Sequence, residues 1–301
     1  MYSYLEIHYL LNLKNVSSNT FVDRKSKFFF ITSIMNDYVY QLLGVRVNLL
    51  SMPQLNCLIE QTINCDRQNI VANHNLNSLY IHHHNSMMQS FYSTADYVHV
   101  DGMALILLGK LLKLPFKRIH RVTYADWIWS LMAIAEENGW RVMYLGSKPG
   151  IAEKGASVLR KIHPNLQIAT QHGYFSFESN DLENKKVIEK IKAYQPNILM
   201  VGMGMPRQEK WIYENRDRIN ANIILPCGAC IDYIAGEIPT PPRWMGKVGL
   251  EWLYRLITEP KRLWKRYLIE PWFIFSIFLK EYFSILRNNL FTTTKNADRS
   301  Q

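Results

Sequence analysis

Long apolar runs are missing from this chain of 301 residues. A membrane-crossing helix needs about 18 uninterrupted apolar residues, and the longest candidates, Met103–Leu108 and Trp272–Leu279, fall well short. No leader peptide is expected either. The first 23 residues are mixed and polar, and the apolar stretch Phe28–Ile34 is short and distant from the start. Cysteine is scarce: Cys57, Cys65, Cys227 and Cys230 do not form the framework of a disulfide-stapled secreted domain. Cys227-Gly-Ala-Cys230 has the spacing of a zinc or redox pair. No further ligands lie at suitable spacing, and the motif ends an apolar strand instead of opening a helix. The two thiols therefore read as small buried residues. His82-His83-His84 does not read as a metal site, because consecutive side chains on a helix point in different directions.

Acidic residues are in deficit. With 35 Lys+Arg against 25 Asp+Glu, the net charge is +10. That excess suits an anionic partner: nucleic acid, an acidic membrane face or a phosphorylated substrate. The hydrophobic fraction of 48% is ordinary for a chain with a real core.

From Leu43 onward the pattern is regular. Short apolar strands are expected at Gly44–Val47, Asn69–Ala72, Tyr97–Val100, Arg141–Leu145, Leu166–Thr170, Ile198–Val201 and Ile223–Pro226. Helical segments separate them, among them one begun by Ser51 and Pro53, one running to Leu114, and those at Tyr124–Asn138, Ile151–Ile162 and Asp181–Tyr194. The alternation predicts an α/β fold: a single Rossmann-like domain with a mostly parallel sheet and helices on both faces. Ligands bind at the carboxyl ends of such strands, which selects the loops at Asp101, Gly146 and Gly202–Gln208.

The chain changes character after Pro239. From Thr240 to the end, 11 Lys/Arg stand against 5 Asp/Glu, interleaved with Trp244, Trp252, Tyr254, Trp264, Tyr267 and Trp272. Glu259-Pro260 and Glu270-Pro271 each suit a helix start. Three short amphipathic helices are expected, at 247–258, 260–269 and 271–287. Arginine, lysine and aromatics in this mixture suit an anionic membrane surface. The competing reading is a helical layer packed on the domain with a solvated charged face. The organisation expected is an N-terminal extension over 1–40, an α/β domain over 41–246 and a basic aromatic appendage over 247–301.

Asp101 ends a strand just before a glycine, where a carboxylate could act as general base; an Asp-Gly pair is also a common turn. In the segment Val201–Trp211, Gly202 and Gly204 let backbone approach a ligand, and the helix that follows favours phosphate. Gln208 falls in its first turn, within reach of a substrate. The dinucleotide fingerprint is not met, because Arg207 stands at the third glycine position, and no P-loop occurs.

These blocks occur in a particular order: Leu43-Gly44-Val45, Asp101-Gly102, Arg121-Val122-Thr123 with Asp126, Leu145-Gly146 with Pro149-Gly150, Gly173-Tyr174-Phe175, Met205–Trp211 and Gly249–Leu256. Over about residues 41–272 the chain resembles the WecG/TagA/CpsF glycosyltransferases. The resemblance implies an inverting transferase with a UDP-sugar donor, often UDP-N-acetylmannosamine or its uronic acid. The implied acceptor is an undecaprenyl-diphosphate-linked sugar, for teichoic acid, capsule or exopolysaccharide. It implies no cofactor and no metal, and no DxD cluster is evident. It places the catalytic base at Asp101 and polar pocket positions at Asn73, Arg121 and Gln208. Basic residues of the appendage, Arg255, Arg262 and Lys265, are implied to close over the pyrophosphate, with Arg266 near enough to substitute. The implied setting is the cytoplasmic face of the cell membrane, as a peripheral protein, with a homo-oligomer compatible. Two positions depart from the family pattern: Val71 replaces a pocket threonine, and Thr240 a common basic residue.

Other classes fit less well. A nucleic-acid-binding protein would account for charge and aromatics, but no recognised module is present, so no nucleic acid partner is expected. A nucleotide-dependent oxidoreductase on a doubly wound sheet lacks its fingerprint. A catalytically dead scaffold is disfavoured by the intact Asp101 and Gln208.

Overall fold

The structure, a computed structural model, describes residues 38–177, 181–242, 244–245 and 249–297. Most of the N-terminal extension, including Phe28–Ile34, lies outside them, as does Gly246 at the expected domain boundary.

Six strands form one parallel sheet: β3 (Asn69–His74), β4 (Tyr97–Val100), β5 (Arg141–Gly146), β6 (Gln167–Gln171), β7 (Ile198–Gly202) and β8 (Ile223–Pro226), in the order β4-β3-β8-β7-β5-β6. Successive side chains of a strand face opposite ways, and both faces here are covered. Val142, Tyr144, Ile198, Met200, Ile223 and Leu225 face one core. That core is completed by α1 (Met52–Asn64), α5 (Tyr124–Glu137), α6 (Ile151–Ile162) and α9 (Cys230–Ile234). Met143, Leu145, Leu199, Val201 and Ile224 face the other. There α3 (Ser86–Thr94), α7 (Leu182–Tyr194) and α8 (Arg207–Asn215) cover them. Burial on both sides explains why these strands read as unbroken apolar runs.

Two elements go beyond the sequence reading. An antiparallel hairpin of β1 (Val39–Leu42) and β2 (Val45–Asn48) begins inside the stretch assigned to the extension. Its turn places Leu43 and Gly44 at φ 51° and 80°. Positive φ is disfavoured for leucine, but the Leu43 side chain is completely buried and holds the turn. The helix α3 has no counterpart among the helices the sequence predicts; it follows α2 (Leu76–His84), which carries the three histidines. The helix expected to reach Leu114, α4 (Met103–Leu111), ends three residues earlier.

The appendage is three helices: α10 (Glu251–Thr258), α11 (Pro260–Leu268) and α12 (Glu270–Ala297). Pro260 occupies the first turn of α11, where its missing N–H costs nothing. Ile274 and Phe278 of α12 enter a third core with the hairpin and α4. Phe273 packs on the rings of Tyr80, His83 and His84. The layer is thus docked on the domain, yet it leaves Trp252, Trp264, Trp272, Phe275 and Phe283 exposed. Among the described residues no helix is long and apolar enough to cross a membrane.

Candidate active site

The strand order reverses where β3 stands between β4 and β8, and a cavity of about 760 Å³ opens there, at the carboxyl edge of the sheet. Clefts of this size hold small ligands or cofactors. Its floor is backbone from β3 and β8, tied by Asn73 Nδ2 donating to Pro226 O at 3.0 Å. Asn73 is buried, and its own carbonyl accepts from the Tyr92 hydroxyl at 2.8 Å. The asparagine therefore locks the reversal point and lines the cavity at once.

Asp101 follows β4, its N–H donating to His74 O at 2.8 Å. Burial raises its carboxyl above its ordinary value, with Glu251 in support and against the opposing pull of Arg121, a hydrogen bond with Asn75, and Arg266. A carboxylate that binds protons more tightly is a better base toward a hydroxyl.

Arg121 also lines the cavity, but its charge is spent within the protein. Its Nη2 donates to both carboxylate oxygens of Glu251 at 2.9 Å, and Nη1 lies 3.3 Å from Asp126 Oδ2. Glu251 is the first residue of α10, so this pair fastens the appendage to the domain beside the site.

The glycine segment divides its labour. Gly202 does not line the cavity; a Cβ there would stand 1.8 Å from the Tyr144 hydroxyl and 2.5 Å from Gly228 O, so its role is close packing of strand ends. Gly204, at φ 79° with open space around its missing Cβ, does line it. Gln208 lies beneath, completely buried. Its Oε1 accepts from the N–H groups of Gly204 and Gly228 at 3.1 Å each, and its Nε2 donates to Glu209 Oε1 at 2.8 Å. Arg207 turns away and donates to Gly173 O and Phe175 O, holding that neighbouring loop.

The opposite wall is arginine-rich. Arg118, Arg121, Arg255, Arg262 and Arg266 line the cavity against Asp101, Asp126 and Glu251 among the described residues. Arg255 is a strong cation: burial works against its charge, but Tyr267, Tyr233, Glu259 and Asp101 more than offset it. Arg262 pairs with Glu259, its Nε donating at 2.7 Å. Lys265 does not line the cavity; it is exposed, with Nζ 5.6 Å from the Trp264 ring. Arg266 occupies the cavity side of α11, its pKa lowered by burial with repulsion from Arg255, while Tyr267, Glu270 and Asp101 oppose that shift.

Cys227 and Cys230 are buried free thiols at the cavity edge, pushed up by burial, Cys230 to about 12. They are neither thiolates nor, among the described residues, part of a metal-binding group. Glu251, Glu209 and Asn75 are not among the site candidates the sequence offers, and Arg266, there only a substitute, takes the cavity position expected of Lys265. For Glu209 a signal existed: Gln208, Glu209, Trp211, Ile212 and Asn215 form one buried face of α8, as helical spacing requires.

A family model, described as "Glycosyl transferase WecG/TagA/CpsF family", matches residues 40–288. The chain belongs to this glycosyltransferase family. Among similar proteins are those of Staphylococcus aureus strains NCTC 8325 / PS 47 and MRSA252, each named N-acetylglucosaminyldiphosphoundecaprenol N-acetyl-beta-D-mannosaminyltransferase. Each is 28% identical over 202 residues, covering 64% of this chain and 77% of the relative.

Proposed function

We propose that the chain moves N-acetylmannosamine, or a related hexose or uronic acid, from a UDP-sugar to an undecaprenyl-diphosphate-linked sugar in cell-surface polysaccharide or teichoic acid synthesis. The observation that carries this reading is the shared cavity of Asp101 and the appendage arginines. A base with raised pKa faces cations able to receive a leaving diphosphate. The names of the staphylococcal relatives support both the acceptor and the transferred sugar.

In the reaction, Asp101 takes the proton of the acceptor hydroxyl. That oxygen bonds to the anomeric carbon from the face opposite UDP, and the bond from that carbon to the diphosphate oxygen breaks, inverting the centre. Charge gathers on the departing diphosphate. Arg255, Arg262 and Arg266, preorganised in a partly water-excluded cleft, stabilise it more in the transition state than in the ground state. The exposed Trp252, Trp264, Trp272, Phe275 and Phe283 support seating of the appendage on an anionic membrane surface, as a peripheral protein of the cytoplasmic face.

The test is Asp101→Asn, assayed by UDP release from a panel of UDP-sugars with a short-chain polyprenyl-diphosphate-sugar acceptor. Turnover should fall about 10²- to 10⁴-fold, the usual worth of general base catalysis, with UDP-sugar affinity retained. Wild-type turnover in this variant would remove Asp101 from the chemistry.

A further inference from the structure

Gln208 is the junction of two loops. Gly204 leaves β7 and Gly228 leaves β8, both at positive φ, 79° and 57°. Both line the cavity, and both N–H groups end on the same oxygen, Gln208 Oε1. A carboxamide has an accepting side and a donating side. Were this one reversed, its NH₂ would face two N–H donors, and both loops would lose their acceptor. The glutamine therefore works in one orientation only.

Glu209 decides that orientation. Its Oε1 takes the Nε2 proton at 2.8 Å, which only the productive orientation can offer. Glu209 is 1% exposed and does not line the cavity, and its Oε2 has no hydrogen-bond partner among the described residues. Burying a carboxyl with half its accepting capacity unused costs stability. An apolar side chain would fill this buried position of α8 at lower cost. Stability does not explain a carboxyl here; the amide beside it does.

We propose that Glu209 is a positioning residue: by accepting from Nε2 it fixes the Gln208 carboxamide, which aligns the Gly204 and Gly228 loops along one wall of the cavity. This rests on the reading of the cavity as the transfer site.

The experiment uses the full chain with UDP-N-acetylmannosamine and a short-chain polyprenyl-diphosphate-N-acetylglucosamine acceptor. Glu209→Gln keeps an acceptor oxygen and should stay within about threefold of wild-type kcat, whereas Glu209→Leu removes it and should lose about 10²-fold, the scale of an ångström-level misplacement. Gln208→Glu introduced into Glu209→Leu should recover at least about tenfold, because a carboxylate has only accepting oxygens and no wrong side. Wild-type kcat in Glu209→Leu overturns the proposal, as does loss of kcat in Glu209→Gln or failure of the double variant to recover. If Glu209→Leu does not fold, Glu209→Met fills the slot without an acceptor and takes its place. Amide ¹⁵N shifts of Gly204 and Gly228 read the positioning without substrate: they should move in Glu209→Leu and not in Glu209→Gln. Should the wild type fail to use these substrates, the transferase reading falls, while unmoved shifts in Glu209→Leu would sink the positioning role itself.

Discussion

The sheet domain and the appendage reach the same cavity by opposite means. In the domain, site residues are held by hydrogen bonds: Asn73 to Pro226 and Gln208 to two loops within it, and Arg121 to Glu251 across the seam. Among the described residues of the appendage, only Leu263, Ile274 and Phe278 are buried hydrophobics. Yet this thinly packed layer supplies Arg255, Arg262 and Arg266. The contrast separates geometry from charge. On the proposed reading, the domain fixes where bonds form and break, and the appendage brings the cations that would make a diphosphate a good leaving group.

The most severe way to break the comparison is to delete residues 247–301. Transfer should be abolished even to a water-soluble acceptor, measured by UDP release on a chain whose retained fold is checked by circular dichroism. Full activity would reduce the appendage to an anchor. A milder probe stays within α11: Arg266→Ala should lower kcat about 10- to 10³-fold, the worth of one electrostatic contact to developing charge. Lys265→Ala should cost less than about threefold, because an exposed side chain outside the cavity contributes little. Equal losses in the two would erase the distinction drawn between adjacent residues. Trp272→Ser with Phe275→Ser removes exposed apolar surface, together with the stacking of Phe275 on Phe278. It should weaken sedimentation with anionic vesicles about tenfold and leave kcat on a soluble acceptor unchanged.

The last effect concerns stability, not rate, and belongs to the domain. Burial pushes Glu209 up to about 7 from an ordinary 4.5, in surroundings that include Tyr92 of α3 and the Gln208 amide. Between those two values the folded chain keeps a proton that the unfolded chain has lost, so stability falls as pH rises through the window. Glu209→Gln does not titrate. Relative to wild type it should gain up to about 3 kcal/mol on going from pH 4.5 to pH 8, measured by urea unfolding. A constant difference across that range would show that the carboxyl titrates normally in the fold.

Much of this was legible in the chain, and the gaps have physical reasons. The strands β5, β7 and β8 are continuous apolar runs because both faces are covered. The hairpin strand β1 is four residues long, and its turn uses a leucine where glycine or asparagine is the usual signal. The helix α3 has little apolar character, and its start depends on Asn85, whose Oδ1 accepts from Met88 N–H at 3.1 Å. At the site, Asp101, Asn73, Gly204, Gln208, Arg255 and Arg262 all line the cavity, as do Arg121 and Arg266, the latter offered by the sequence only as a substitute. Lys265 could not be told from Arg266 without the register of α11, since one residue turns a helix by about 100°. That Arg121 is engaged by Glu251 was hidden because the partners stand 130 positions apart.

That separation has a consequence for the order in which the site is made. The two walls of the cavity come from distant parts of the chain, Asp101 following β4 and Arg266 standing on α11. During synthesis the carboxylate is therefore in place long before the cations. A nascent chain that has yet to reach Arg266 holds only one half of the cavity's charge.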